Sequence, residues 1–306
     1  MLIDYNYSFL DKIFIHLNNL LRKFRKFVLN KERQAVRNEF YNSNTQLDIN
    51  HTPREKKIIL SLTTFPPRFK FIPITLQSLL KQTVRPDKII VWLGNDSKEI
   101  TEEMKSYEQY GVEFIFMEDN LMPHKKFIYA IQQYPEDIII TADDDIIYPE
   151  DYIQVLMDSY RKYPNYISAR RVHYITRKSN GNLFPYNNWI NNFSLLRKPS
   201  HRLLATGGAG VLYPPHSLPQ QAFNAELIKK YCLKADDIWL KFMELLNGTK
   251  VVWAPSKCIE PPSIRESQEV ALSCTNTKQN QNDIYINNML KLYRNELKNY
   301  KFLGEP

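Results

Sequence analysis

Glycine is scarce in this chain: 8 in 306 residues, under half of the roughly 7% average usage. Three of the eight, Gly207, Gly208 and Gly210, fall within four residues, so the rest of the chain turns its corners with proline, asparagine and aspartate. This scarcity excludes phosphate loops of the G-x-x-x-x-G-K-[ST] and G-x-G-x-x-G kinds, because the G-G-A-G cluster lacks the residue that would complete either. Cysteine is scarcer still. Cys232, Cys258 and Cys274 are too few and too scattered for a disulfide framework or a thiolate metal site, which points to a reducing, cytoplasmic setting. No run of about 18 uncharged apolar residues occurs, and the N-terminus lacks the charged, apolar, small order of a secretory signal. Neither a spanning helix nor export is expected.

What is present is an apolar content of 43%, too high for collagen-like or disordered classes and ample for one large domain or two small ones. The excess of 41 basic over 33 acidic residues is concentrated near the start. Arg22, Lys23, Arg25, Lys26, Lys31, Arg33 and Arg37 face only Glu32 in their stretch, and Leu10, Ile13, Phe14, Leu17, Leu20, Leu21, Phe24, Phe27 and Val28 recur at three- and four-residue spacings. That pattern predicts an amphipathic helix within residues 9–37. Such a helix suits an anionic membrane surface, or packing on the domain or on a second protomer. Nucleic acid is not expected, since no stacking aromatics interleave with the basic residues.

After a polar linker at 42–53, buried strands are expected at 58–62, 88–93, 112–116 and 137–141, separated by helices at 71–81, 99–110 and 123–134. That alternation predicts an α/β fold with a mostly parallel sheet flanked by helices. Ligands in such sheets sit beyond the carboxyl ends of the strands. A strand near 167–172, a long polar and aromatic stretch at 174–200, a helix at 235–246, a strand at 250–253 and a last helix at 283–300 follow. Tyr148-Pro149-Glu150 reads as a helix start.

Asp143, Asp144 and Asp145 end the most apolar strand. Adjacent carboxylates repel and raise one another's pKa unless a cation compensates, and an all-oxygen set favours Mg²⁺ or Mn²⁺ over zinc. The segment I-I-I-T-A-D-D-D-I-I-Y-P, residues 138–149, resembles the D-x-D motif of GT-A fold glycosyltransferases, most like bacterial capsule and lipopolysaccharide transferases. The resemblance spans roughly residues 57–255. It implies a Rossmann-like nucleotide-diphospho-sugar transferase fold and a nucleotide-sugar donor, with a UDP-sugar expected, whose diphosphate is held by Mn²⁺ or Mg²⁺. Asp145 matches the position that binds the metal directly, and Asp143 the one nearer the ribose and the metal's waters. Asp144 goes with the donor-binding residues. Thr63-Thr64-Phe65 and Arg68 resemble the first-strand turn around the nucleoside, and Asp96 the acidic turn that reads the base. Lys125, ahead of Lys126, is the cation given to the donor. Gly207 to Gly210 resembles the small-residue strand along which Gly208 passes close to sugar or diphosphate.

Transfer with inversion needs a base opposite the leaving group. Asp236-Asp237 resembles the acidic element that opens the acceptor-side helix, with Asp237 as base and Asp236 beside it or capping the helix. The late histidine that often completes the metal shell is missing: His216 is the last one, so Asp283 or water takes that place. The expected organisation is a basic helical extension and linker at 1–55, a catalytic domain at 56–260 with a donor half (56–150) and an acceptor half (151–260), and a C-terminal helical segment at 261–306. The acceptor expected is a growing surface glycan. Two other readings stay open at this stage. One is a GT-A-like sugar-binding or scaffold protein without chemistry. The other is a D-x-D phosphatase, disfavoured because Ile147 stands where that family has Thr or Val.

Overall fold

The computed structural model describes residues 8–264 and 280–303. Cys274 and parts of the expected C-terminal segment lie outside them, as do the side chains of Arg22, Lys23, Phe24 and Lys26. The chain opens with α1, Phe9–Asn42, whose N-cap Ser8 accepts from the Asp11 amide. Then strands and helices alternate: β1 (Ile58–Thr63), α2 (Ile72–Leu80), β2 (Lys88–Leu93), α3 (Glu102–Lys105), β3 (Val112–Phe116), α4 (Lys125–Gln133), β4 (Ile138–Thr141) and α5 (Tyr152–Lys162). The second half holds β5 (Ile167–Ala169), β6 (Val172–Tyr174), β7 (Leu203–Ala205), β8 (Val211–Tyr213), α6 (Ala225–Tyr231), α7 (Asp236–Leu246), β9 (Val251–Trp253), α8 (Gln281–Leu292) and α9 (Arg294–Leu297).

Seven strands form one sheet in the order β3-β2-β1-β4-β8-β5-β9, and β6 pairs with β7 in a separate ribbon. Only β8 runs against its neighbours β4 and β5; β1 to β4 are parallel, as are β5 and β9. Both faces are covered, which is why β1 opens Ile58-Ile59-Leu60 and β4 opens Ile138-Ile139-Ile140 without polar alternation. Alternate residues serve opposite cores. Ile59 and Ile139 pack with Phe127 and Trp239 on one face, while Ile58, Leu60, Ile138 and Ile140 meet Leu76 and Leu156 on the other. From β1 the chain builds outward to β3 and returns on the other side with β4, so a crevice opens beyond the carboxyl ends of β1 and β4.

Several elements differ from expectation. The helix expected over 99–110 shrinks to α3, because Met104 is its one buried residue and so short an apolar face does not sustain a longer helix; a 3₁₀ turn ending at Gly111 (φ 86°) completes it. Pro149 does not start α5: its carbonyl accepts the Tyr152 amide in a turn, and the helix begins at Tyr152. Gly207–Ala209 is a 3₁₀ turn, not a strand, and leads into β8. The last helix divides at Tyr293 into α8 and α9.

The α1 helix packs on the domain along one side. Phe14 meets Tyr174 and Phe193 edge-on at 5.0 and 5.2 Å, and Val36 and Phe40 are buried with Phe71, Ile147 and Ile264. Three of its basic residues also turn inward. Arg25 donates to Asn192 O and Ser194 Oγ, Arg33 pairs with Glu260, and Arg37 donates to Ser263 O at 2.7 Å. Among the described residues no helix is long and apolar enough to cross a membrane.

Candidate active site

The triplet sits just past β4, and each carboxylate has a different environment. Asp144 is buried; it accepts from Thr64 Oγ1 at 2.7 Å and pairs with Arg68. Burial pushes its carboxyl up to about 6, against the pull of Arg68 and with the push of Asp145. The other arm of Arg68 lies 3.3 Å from Asp145 Oδ2. Asp143 points the opposite way, to Lys126 Nζ at 2.8 Å. Burial raises that carboxyl, but the Lys126 ammonium outweighs it and holds the pKa below the ordinary range. The Asp143 amide donates to Tyr148 Oη at 2.8 Å, which anchors the backbone of the motif to the core.

Lys126 is the hub. Its ammonium also lies 2.9 Å from Asp236 Oδ2 at the first turn of α7. Burial alone would lower its pKa, but Asp143, Asp236 and Asp237 together drive it well above the usual value. Asp237 accepts the Gly207 amide at 3.0 Å. Burial, then the like charge of Asp236, push its carboxyl up to about 7, with Lys126 opposing. One ammonium therefore ties the triplet to the pair that opens α7.

The glycines have a steric reason here. A Cβ at Gly207 would come within 3.0 Å of Lys126 Nζ, and one at Gly208 within 3.0 Å of Arg171 Nη2 and 3.2 Å of Asp143 Oδ2. Gly210, at φ 102°, would drive a Cβ to 2.1 Å from the Tyr152 ring. Arg171 is a cation that sequence reading passed over; its Nε donates to Thr206 Oγ1 at 2.6 Å, and its charge helps lower the Asp143 pKa. It lies in the irregular stretch between β5 and β6, where no periodicity singles it out. Tyr186, beside Asp237, has its hydroxyl pKa raised by burial and then by that carboxylate, and its ring is 5.1 Å from Trp189.

Other expected residues lie elsewhere in the crevice. Lys125 is buried but turned to Asn120 Oδ1 at 2.7 Å; burial lowers its pKa, with Asp96 the largest opposing charge. Exposed Asp96 thus acts on buried Lys125, whereas Lys126 reaches Asp143 and Asp236. Thr63 Oγ1 donates to Trp92 O at 2.7 Å, so of this threonine pair Thr64 is the one that reaches a carboxylate of the triplet. Asp283 accepts the Tyr186 amide at 2.7 Å, which gives it a loop-holding place in the structure. His124 is buried against Cys232 O and its pKa falls to about 4, chiefly through burial.

No three His, Cys, Asp or Glu side chains converge on one point among the described residues. Mg²⁺ and Mn²⁺ are nonetheless compatible with the oxygen donors of Asp143 and Asp145, because such ions are commonly held by one or two carboxylates plus phosphates and water.

Residues 66–214 match the family model described as glycosyl transferase family 2. No curated protein matches the sequence. Among solved structures the chain is similar to the mannosyltransferase PcManGT from Pyrobaculum calidifontis in complex with GDP-Man and Mn²⁺, with a TM-score of 0.52 at 8% identity over 95% of this chain and 81% of that one. It is also similar to glucosyl-3-phosphoglycerate synthase from Mycobacterium tuberculosis in complex with Mn²⁺, uridine-diphosphate and phosphoglyceric acid (TM-score 0.30, 15% identity, 41% of this chain and 50% of that one). A third is S. aureus TarS 1-349 (TM-score 0.39, 14% identity, 64% and 57%). The mannosyltransferase likeness is one of fold, and the seven-stranded, mostly parallel sheet flanked by helices is the GT-A architecture.

Proposed function

We propose that this protein, a glycosyltransferase of the GT-A fold, moves a sugar from a nucleotide-sugar donor, a UDP-sugar by preference, to a growing surface glycan with inversion at the sugar carbon. The reading places its work on the cytoplasmic side, peripheral to the inner face of the membrane. The observation that carries it is the Lys126 bridge, which holds Asp143 of the triplet and Asp236 of the acceptor-side pair on one ammonium.

In this reading Asp237 takes the proton of the acceptor hydroxyl as its oxygen bonds to the sugar carbon, and the bond from that carbon to the diphosphate breaks with its electron pair. The raised pKa of Asp237 suits a base working near neutrality. The Gly207 amide fixes the carboxylate's direction. Asp145 and Asp143 would hold the divalent ion, which would supply positive charge to the departing diphosphate. Arg68 and Arg171 add positive charge around the triplet, where that negative charge develops. Thr63, Asp96, Lys125, Asp144 and Gly208 line or support the donor, with Asp96 and Lys125 at the base end. Tyr186 and Trp189 offer an aromatic wall to the acceptor.

The test is a thermal-shift panel of nucleotide sugars with and without Mn²⁺, followed by donor hydrolysis. A shift that needs both donor and Mn²⁺, and disappears in Asp145→Asn, is the expected result. Donor binding with no turnover in the presence of Mn²⁺ would instead favour a sugar-binding protein that kept the fold.

A further inference from the structure

Eight of the eleven exposed large apolar side chains among the described residues sit on one stretch of α1: Phe9, Leu10, Ile13, Leu17, Leu20, Leu21, Phe27 and Val28. Phe9 is 81% exposed, Leu20 63% and Phe27 65%. At 100° per residue these positions form one stripe along the helix. It points away from the side that packs on the domain through Asp11, Phe14 and Arg25. Among the described residues nothing covers a row of this length, and isolated exposed apolar residues would not line up so.

The charges on the same stretch select the occupant. Between residues 9 and 31 the only acid is Asp11, and its carboxylate is buried, paired to Arg202 at 2.6 Å and accepting the Arg177 amide. Apart from Arg25, which is turned onto the domain, the bases are Lys12, Arg22, Lys23, Lys26 and Lys31. A second copy of the helix would set these positive charges against their own kind, whereas helix pairs are stabilised by opposite charges flanking the seam. An anionic bilayer satisfies both the apolar stripe and the bases.

The inner side of the same stretch grips one particular part of the domain. Asp11 holds Arg177 and Arg202, Phe14 packs on Tyr174 and Phe193, and Arg25 donates to Asn192 O and Ser194 Oγ. All six partners belong to, or border, the 174–200 stretch that carries Tyr186 and Trp189.

We propose that the outer face of α1 seats the protein on an anionic bilayer and thereby presents the 174–200 stretch to acceptor saccharide carried on that bilayer. The docking stands on α1 alone; the acceptor class rests on the glycosyltransferase reading above.

The full chain is sedimented with phosphatidylcholine vesicles containing about one third phosphatidylglycerol. Binding is expected to be at least about tenfold weaker to pure phosphatidylcholine, and to fall steeply with added salt. The double variant Leu17→Glu, Leu20→Glu loses at least about tenfold in vesicle binding at an unchanged melting temperature, since both side chains are exposed. With donor present, that variant hydrolyses the donor at the wild-type rate but loses transfer to a vesicle-borne lipid-linked saccharide. Vesicle binding that ignores phosphatidylglycerol or survives the double substitution overturns the docking. So does a wild-type dimer in solution that the substitution dissociates. Docking without donor turnover upholds the surface and sinks the transferase reading, whereas turnover without docking does the reverse.

Discussion

The Gly207 amide donates to Asp237 Oδ1 at 3.0 Å, so the densest glycine cluster in a glycine-poor chain is also the seat of the candidate base. The same turn needs its glycines because Lys126, Arg171 and Asp143 crowd against it. Backbone donor, half-buried carboxylate and missing side chains form a single arrangement.

Asp237→Asn keeps the acceptor oxygen for Gly207 and removes the proton acceptor. Transfer is expected to fall by about 10²- to 10⁴-fold, with donor affinity preserved and no loss of melting temperature. Steady-state kinetics beside donor titration checks this, and a kcat within threefold of wild type would remove Asp237 from the mechanism.

The base works only when deprotonated, and its pKa is raised to about 7 by burial and by Asp236. The kcat profile should therefore climb through about pH 7 and level off above it. Asp236→Asn removes the like charge, so Asp237 ionises more easily and the climb moves to lower pH. A limb that stays in place in that variant contradicts the assignment.

Lys126→Met leaves Asp143, Asp236 and Asp237 without the ammonium that compensates them. Removing one partner of a fully buried pair costs roughly 3–5 kcal/mol; because Asp143 keeps 30% of its side chain exposed, urea unfolding at pH 7.5 should show a smaller loss. Lowering the pH should narrow the gap from wild type, because the orphaned carboxylates then take up protons and cease to be buried charges.

Gly210→Ala sets a methyl against the Tyr152 ring at a φ of 102°. Gly181 has a similar φ of 93° with nothing within 4 Å, so Gly181→Ala isolates the backbone cost, about 1 kcal/mol. Thermal unfolding should rank Gly210→Ala well below Gly181→Ala; equal shifts would mean that Tyr152 moves aside freely.

Much of the fold was readable because β1, β2 and β4 are buried on both faces and flanked by helices of ordinary length. The triplet was readable because three adjacent carboxylates need a cation. Lys126 was harder to single out: its neighbour Lys125 has the same chemistry one position away, and only the rotation of α4 decides which ammonium reaches Asp143. Arg171 gave no signal, since its strands β5 and β6 are three residues each, too short for periodicity to show. Gly207–Ala209 is a turn and not the expected strand, because small residues signal close approach without saying which backbone shape provides it.

The sheet runs without interruption from β3 to β9, and β8 stitches the first four strands to β5 and β9 through backbone bonds on both of its edges. The proposed donor and acceptor sides thus share one continuous sheet. The 174–200 stretch is instead braced by α1 through Asp11, Phe14 and Arg25, so in the proposed reading a shift of α1 is felt first on the acceptor side.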